Sequence, residues 1–276
     1  MACQLLNGKK GIIFGALDSR SIAWKIAERA YEQGAAFTLS NTPVALRFGE
    51  INVLSEKCHA EIIPADATSV SDLEHVFQRT MEIFGGKIDF VLHSIGMSMN
   101  VRKMREYDDL DYNYFMKTID VSALSFHKML QVAKKMDAIN NWGSILALSY
   151  IAAQRTLVGY NDMADAKSLL ESIARSFGYI YGREKNVRIN TISQSPTKTT
   201  AGSAIKGMDG LVDFTDRMSP LGNATAEECA DFSVVLFSDL SRKVTMQNIY
   251  HDGGFSSMAM SMKAMTQYNK SLDEES

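Results

Sequence analysis

The chain has 276 residues, 46% apolar and 22% charged, enough for one large α/β domain with a sizeable core. A formal charge of −3 gives no electrostatic footing for nucleic acid as a partner, and no apolar run approaches the roughly 18 residues a membrane helix needs. Cys3, Cys58 and Cys229 are few, odd in number and far apart, which argues against a disulfide framework or a metal-ligand cluster and suits a reducing cytoplasm.

In chain order, the amino terminus has no basic stretch followed by an apolar core, so no signal peptide is read there. Short apolar runs then alternate with longer helix-like segments. Strands are predicted at about 11–14, 36–40, 60–64, 88–94, 144–149, 187–192 and 248–251. Between the first two, Ile22, Ala23, Ile26, Ala27 and Ala30 share one helical face, and Gly34 is placed to end the helix. Leu73, Val76, Phe77, Thr80 and Phe84 repeat that pattern, with Ser69 or Ser71 as cap. No linker, repeat or low-complexity tract divides residues 1–276. The expected architecture is a single Rossmann-like domain: a doubly wound parallel sheet of about seven strands with helices on both faces.

Three strand ends carry candidate nucleotide contacts. The first is followed by Gly15-Ala16-Leu17-Asp18-Ser19-Arg20-Ser21-Ile22. This is not the G-x-G-x-x-G fingerprint, since the next glycine is Gly34. Gly15 still permits a tight turn, and Ser21 opens a helix whose free amides and positive dipole end can hold a diphosphate. Asp66-Ala67 follows the third run, where the carboxylate can accept from an adenine amino group or simply cap a turn. Ser94-Ile95-Gly96 follows the fourth, and Gly96 allows close backbone approach. Open parallel sheets bind ligands at these carboxyl ends. The second strand ends Ser40-Asn41-Thr42, with neither an acidic residue for a ribose diol nor an adjacent arginine for a phosphate; Arg47 is five residues on.

The apolar run 143–149 leads through Tyr150 into a helix-like segment bearing Tyr160 and Lys167. Seven positions place this pair on one helical face, roughly 10 Å apart along the axis. Helical side chains lean toward the amino terminus, so the lysine can reach back toward the tyrosine. A phenol backed by an ammonium is a proton donor and anion stabiliser. An isolated Tyr-x6-Lys would more often be a half-buried aromatic and a surface charge; its place in a nucleotide-binding pattern favours the chemical reading.

Taken together, the motifs resemble the bacterial enoyl-acyl-carrier-protein reductases of the short-chain dehydrogenase/reductase superfamily. The resemblance runs from about Leu6 to Phe255. It rests on Gly15-x5-Ser21-Ile22-Ala23, His93-Ser94-Ile95-Gly96, Leu148-Ser149-Tyr150, Tyr160-Asn161-x-Met163-x2-Ala166-Lys167, Val187-Arg188-Ile189-Asn190-x-Ile192-Ser193 and Asp252-Gly253-Gly254-Phe255. The resemblance implies an NADH-dependent reduction of an enoyl double bond in fatty-acid synthesis, with NADPH not excluded. By matching position, Tyr150 and Tyr160 correspond to the two active-site tyrosines and Lys167 to the ribose-binding lysine. Gly15, Ser21, Ile22, Thr42, Asp66, Ala67 and Ile95 fall among the cofactor contacts, as do Thr197, Lys198, Thr199, Thr200 and Ala201. Ser98 falls at a substrate-contact position. The enoyl-acyl-carrier protein is the implied substrate and a cytoplasmic homotetramer the implied assembly, with no metal, nucleic acid or membrane. Departures include Ala164-Asp165 within the helix and Ser193-Gln194-Ser195-Pro196 after the sixth strand.

Two alternatives remain at this level. A carbonyl reductase of the same fold would use Tyr-x3-Lys, and Tyr181-Gly182-Arg183-Glu184-Lys185 offers that spacing, but at the wrong end of its helix for the cofactor. A non-catalytic nucleotide-binding protein would need neither tyrosine. Segment 197–214, with Gly202, Gly207 and Gly210, is expected to be a mobile lid, the alternative being an ordinary surface helix. Met258, Met260, Met262 and Met265 are expected to fill core gaps or a subunit contact, membrane insertion being the remote alternative. A polar tail is set at about 266–276, and its final acidic residues, in Lys-Ser-Leu-Asp-Glu-Glu-Ser, are expected to be disordered.

Overall fold

The structure is a computed structural model that describes residues 4–48, 50–200 and 207–275. Its sheet consists of β1 (Lys10–Phe14), β2 (Ala36–Ser40), β3 (Ile88–His93), β4 (Ile139–Ser149), β5 (Arg188–Gln194) and β6 (Asn248–His251). All pairings are parallel and the spatial order is β2-β1-β3-β4-β5-β6. Phe14 pairs with Ser40 on one side and His93 on the other, so three strands end level. After β2 the chain crosses β1 to build the rest of the sheet, and a crevice opens beyond the carboxyl ends of β1 and β3.

The helices are α1 (Ile22–Glu32), α2 (Pro43–Phe48), α3 (Ile51–Cys58), α4 (Val70–Phe84), α5 (Met99–Arg102), α6 (Tyr112–Ile119), α7 (Ser125–Lys135), α8 (Asp162–Lys185), α9 (Met208–Met218), α10 (Ala226–Phe237) and α11 (Met262–Glu275). Alternation along each strand decides which face they cover. Ile12, Phe14, Val91, Ile145 and Ala147 point to the face packed by Val76 and Phe77 of α4, Phe126 and Leu130 of α7, and Leu170 and Phe177 of α8. Ile13, Phe90, Leu92, Leu146 and Leu148 point to the face covered by Ala23, Ile26 and Ala27 of α1, Leu54 of α3, and Val234 and Phe237 of α10. Each fully buried side chain of this size stabilises the fold by roughly 1.5–3 kcal/mol. The doubly wound architecture expected from the sequence is therefore present.

Local signals account for the helix ends. The Ser69 hydroxyl accepts from the Asp72 amide at the start of α4, and Gly85 closes that helix in the left-handed region at φ 67°. Gly34, at φ 87°, comes just after Gln33, the residue that caps α1.

Two expectations need correction. Among the described residues the sheet has six strands rather than about seven, because 60–64 meets β2 through a single bridge, Leu39 with Ile62. Its bonds to β2 are Leu39 N–H to the Glu61 carbonyl and Ile63 N–H to the Leu39 carbonyl, and Ala65 N–H then reaches the Asn41 carbonyl just past the end of β2. The carboxyl terminus is also not a disordered tail: α11 runs to Glu275. Ser261 starts it, accepting from the Ala264 amide while its hydroxyl donates to the Arg217 carbonyl at the end of α9. Met260, Met262 and Met265 fill no core gap, being 53%, 75% and 36% exposed. Among the described residues no helix is long and apolar enough to cross a membrane.

Candidate active site

A cavity of about 600 Å³ opens at the crevice beyond β1 and β3, within the range of small-molecule and cofactor pockets. One end is built by the turn after β1. Gly15 has φ +97°, and a Cβ there would lie 2.1 Å from the Ser94 carbonyl oxygen, so only glycine lets the two strand ends approach this closely. The Ser21 hydroxyl donates to the Asp18 carbonyl and accepts from the Leu17 amide, which folds the turn back over the start of α1. Gly15, Ser21 and Ile22 thus line the cavity beside a helix amino terminus, the geometry that suits a diphosphate. Asn41 and Thr42 line the same end, the Asn41 amide donating to the Ala16 carbonyl at 2.9 Å and Thr42 Oγ1 accepting from Ala45.

The other end carries the phenols and the lysine. Tyr150 leaves the end of β4, and its ring centroid lies 5.0 Å from that of Tyr160. Tyr160 is set between Gly159 at φ 81° and Asn161 at φ 46°, two residues of positive φ that turn the chain into α8. The Asn161 side chain, itself buried, donates to the Arg105 carbonyl and holds that turn. Lys167 is buried, and its Nζ donates to the Leu148 carbonyl at 2.7 Å, next to the strand end that carries Tyr150. Ile95, Gly96, Met97, Val101 and Met163 give the cavity apolar walls.

Burial sets the protonation states. It pushes the Tyr150 phenol up to about 12 and the Tyr160 phenol higher still, with Tyr150 adding to the latter, so both are hydrogen-bond donors at neutral pH. It pulls the Lys167 ammonium down to about 8, against the opposing carboxylate of Glu171. His93, one residue before Ser94, is driven to about 3 by burial and then by the Lys167 charge. It is neutral, with Nε2 at 2.8 Å from the Ser125 hydroxyl.

The remaining sequence-derived positions divide. Ile95, Thr197, Thr199 and Thr200 line the cavity, Thr200 donating to Asp18 of the β1 turn. Lys198 instead points to Asp209, at 2.6 Å. Asp66 and Ala67 lie outside the cavity-lining residues: one Asp66 oxygen accepts from the Thr68 amide and hydroxyl, and Ala67 is in the core. Burial would raise the Asp66 carboxyl, but the Thr68 bonds and then Lys117 and Lys128 hold it below the usual range. Ser98 lines the cavity, yet its hydroxyl donates to Asp162 at 2.6 Å and accepts from the Val101 amide. Ala201 lies outside the described residues. The alternative pair is remote: Tyr181 is buried and donates to the Leu130 carbonyl, Lys185 pairs with Asp137, and neither lines the cavity.

Sequence reasoning missed the buried acids of α8. Asp162 accepts from Ser98 and Asn100, and Glu171 accepts from Ser149 and Gln154. Glu171 was within reach of helical spacing, four positions past Lys167.

The family pattern described as Enoyl-(Acyl carrier protein) reductase matches residues 15–256, a span that takes in every wall of this cavity. The chain belongs to the enoyl-acyl-carrier-protein reductase family. Among curated relatives, the chain is 32% identical over 260 residues to the "Enoyl-[acyl-carrier-protein] reductase [NADH] 2" of Rhizobium meliloti, covering 93% of this chain and 94% of the relative. It is 30% identical to the "Enoyl-[acyl-carrier-protein] reductase [NADH] FabI" of Synechocystis, covering 92% and 99%. Among solved structures, the FabI–NADH complex from Alistipes finegoldii superposes with a TM-score of 0.95 at 70% identity, covering 96% of this chain and 94% of that one. Another structure of FabI from the same organism has a TM-score of 0.95 at 66% identity and covers both chains fully. Within the matched span, Tyr150, Tyr160 and Lys167 line one cavity.

Proposed function

We infer that this enzyme reduces the carbon–carbon double bond of an enoyl-acyl-carrier-protein thioester with NADH, in the elongation cycle of fatty-acid synthesis. The observation that carries the reading is the meeting of two protonated phenols and a buried ammonium at one end of a cavity whose other end is a glycine turn and a helix amino terminus. The residues fit the cofactor. Gly15 leaves backbone room for the diphosphate, Ser21 and Ile22 present the start of α1, and Lys167 stands where a nicotinamide ribose would need a donor. Thr42 lines the adenosine end. NADH, when bound, supplies the hydride.

The protein supplies orientation and electrostatics. As the thioester's β-carbon gains hydride, negative charge develops on the thioester oxygen. Tyr160 donates to that oxygen, a bond that strengthens only as charge appears. The Lys167 ammonium holds the ribose and adds positive potential in a site of low dielectric. Tyr150, in ring contact with Tyr160, shapes the acyl end of the pocket. The α-carbon then takes a proton, ultimately from solvent, to complete the saturated thioester.

A pH profile tests the electrostatics. The Lys167 value lies below its ordinary one, so the ammonium is charged below about pH 8 and lost above it, while both phenols keep their protons through that range. The kcat/KM for crotonyl thioester should therefore be level in neutral solution and fall above about pH 8, since this parameter reports groups of the free enzyme. A profile still rising at about pH 9 would count against a charged Lys167 in the working form.

The described parts of the expected lid, 197–200 and 207–214, border the acyl end of the cavity, while 201–206 lie outside the described residues. Met208 and Leu211 reach the cavity wall from α9, and the Lys198–Asp209 pair joins the two described sides of the segment. Amide exchange across 197–214 should slow when NAD and a competitive inhibitor are added together. Exchange that does not change would leave an ordinary surface helix in its place.

A further inference from the structure

Glu171 lies on α8 one helical turn past Lys167, and its side chain is 3% exposed. A carboxylate is seldom buried to this degree unless its oxygens are satisfied. Both are: one accepts from the Ser149 hydroxyl at 2.6 Å, the other from the Gln154 side-chain amide at 2.8 Å. Gln154 in turn accepts from the Tyr250 hydroxyl at the end of β6. Acceptance at both oxygens is the pattern of an ionised carboxylate. Consecutive residues at the end of β4 are thus held by consecutive turns of α8: the Leu148 carbonyl by Lys167, the Ser149 hydroxyl by Glu171. The next residue is Tyr150.

We propose that Glu171 is a positioning residue for the reduction, a countercharge to the Lys167 ammonium and a staple that fixes the β4 end and with it Tyr150 against Tyr160. The inference rests on the reading of Tyr160 and Lys167 given above. Among the described residues, the groups around the lysine leave Glu171 alone in this part. His93 on β3 is neutral. The Tyr150 and Tyr160 phenols are protonated. Asp162 and Asp165 at the start of α8 are turned to Ser98, Asn100 and Tyr107, and Asp120 before α7 is paired with Lys128. Arg188 of β5 is bonded to the Leu236 carbonyl at that strand's far end. Burial disfavours the Lys167 charge, and the Glu171 carboxylate opposes that effect. Around Glu171 itself, Tyr250 feels both it and Arg155 and Asp252, and burial keeps that phenol protonated.

The test is Glu171→Gln in the full chain, which keeps the shape of the side chain and removes its charge. NADH oxidation with crotonyl thioester is followed across pH beside wild type. At about pH 6.5 the variant should stay within about threefold of wild type. Its alkaline limb should move down by about one pH unit, giving roughly a fivefold loss near pH 8 that approaches tenfold at higher pH. NADH affinity, read by quenching of protein fluorescence, should weaken over the same lowered range. A limb and an affinity profile that stay at the wild-type positions overturn the proposal. Should Glu171→Gln not fold, Ser149→Ala decides, since it releases the strand end and keeps the carboxylate. Its kcat should fall about tenfold at every pH with NADH affinity unchanged, and a wild-type kcat overturns the proposal. A wild-type enzyme that turns over no enoyl thioester would remove the functional reading itself, whereas an active wild type beside an unmoved Glu171→Gln limb removes the Glu171 inference alone.

Discussion

Tyr160→Phe should lower kcat for an enoyl thioester by about 100–1,000-fold, the usual cost of removing one donor that acts on a developing oxyanion. Cofactor affinity should stay within about twofold of wild type, because the phenol's bond to the substrate oxygen is made in the chemical step. The structure makes this a clean substitution. Among the described residues no hydrogen bond ties the Tyr160 hydroxyl to the protein, so phenylalanine leaves no buried partner without its bond. Rapid mixing that separates NADH binding from hydride transfer would check it. An equal loss in binding and chemistry would mean that the ring, rather than the hydroxyl, had been disturbed.

Lys167→Ala should differ in kind. The ammonium is placed to hold the nicotinamide ribose and to bias the site toward negative charge, so both NADH affinity and turnover should fall. A lost bond to a charged donor costs about 1.5–3 kcal/mol, or roughly 10–100-fold in NADH affinity. The kcat/KM should fall further than that, since the enolate loses its field as well. The Leu148 carbonyl also loses the donor that meets it at 2.7 Å. A thermal melt run beside the binding titration separates local loosening of the β4 end from loss of the fold. A variant with intact NADH affinity would contradict the ribose-holding role.

Much of this was legible in the sequence because the relevant signals are local. The runs 36–40 and 248–251 become strands with those bounds, since each holds β-favouring residues (Phe37 and Thr38; Ile249 and Tyr250) beside turn residues. The same signal misled at 60–64, where strand character depends on a neighbour to pair with. That segment forms a single bridge, to Leu39 at the sheet edge. The carboxyl terminus misled in the opposite direction. Its polar composition suggested disorder, but Ser261 provides a cap and α11 rests against α9. At the site, Tyr160 and Lys167 were visible because helical spacing puts them on one face. The Ser98–Asp162 bond joins residues 64 positions apart and could not be seen in any window. It shows that Ser98 meets the cavity with its hydroxyl already committed. Asp66 illustrates a third case: its turn-capping role is encoded two residues away in Thr68, and that is the contact the structure displays.

The central claim is that hydride reaches the β-carbon of an enoyl thioester while Tyr160 meets the charge that develops on the thioester oxygen. It is tested most directly with NADH carrying deuterium at the transferable position, incubated separately with crotonyl and acetoacetyl thioesters. The account predicts butyryl thioester bearing deuterium at its β-carbon from the first, and no turnover of the second. Deuterated 3-hydroxybutyryl thioester from acetoacetyl substrate, with crotonyl thioester left untouched, would contradict it and assign the cavity to carbonyl reduction.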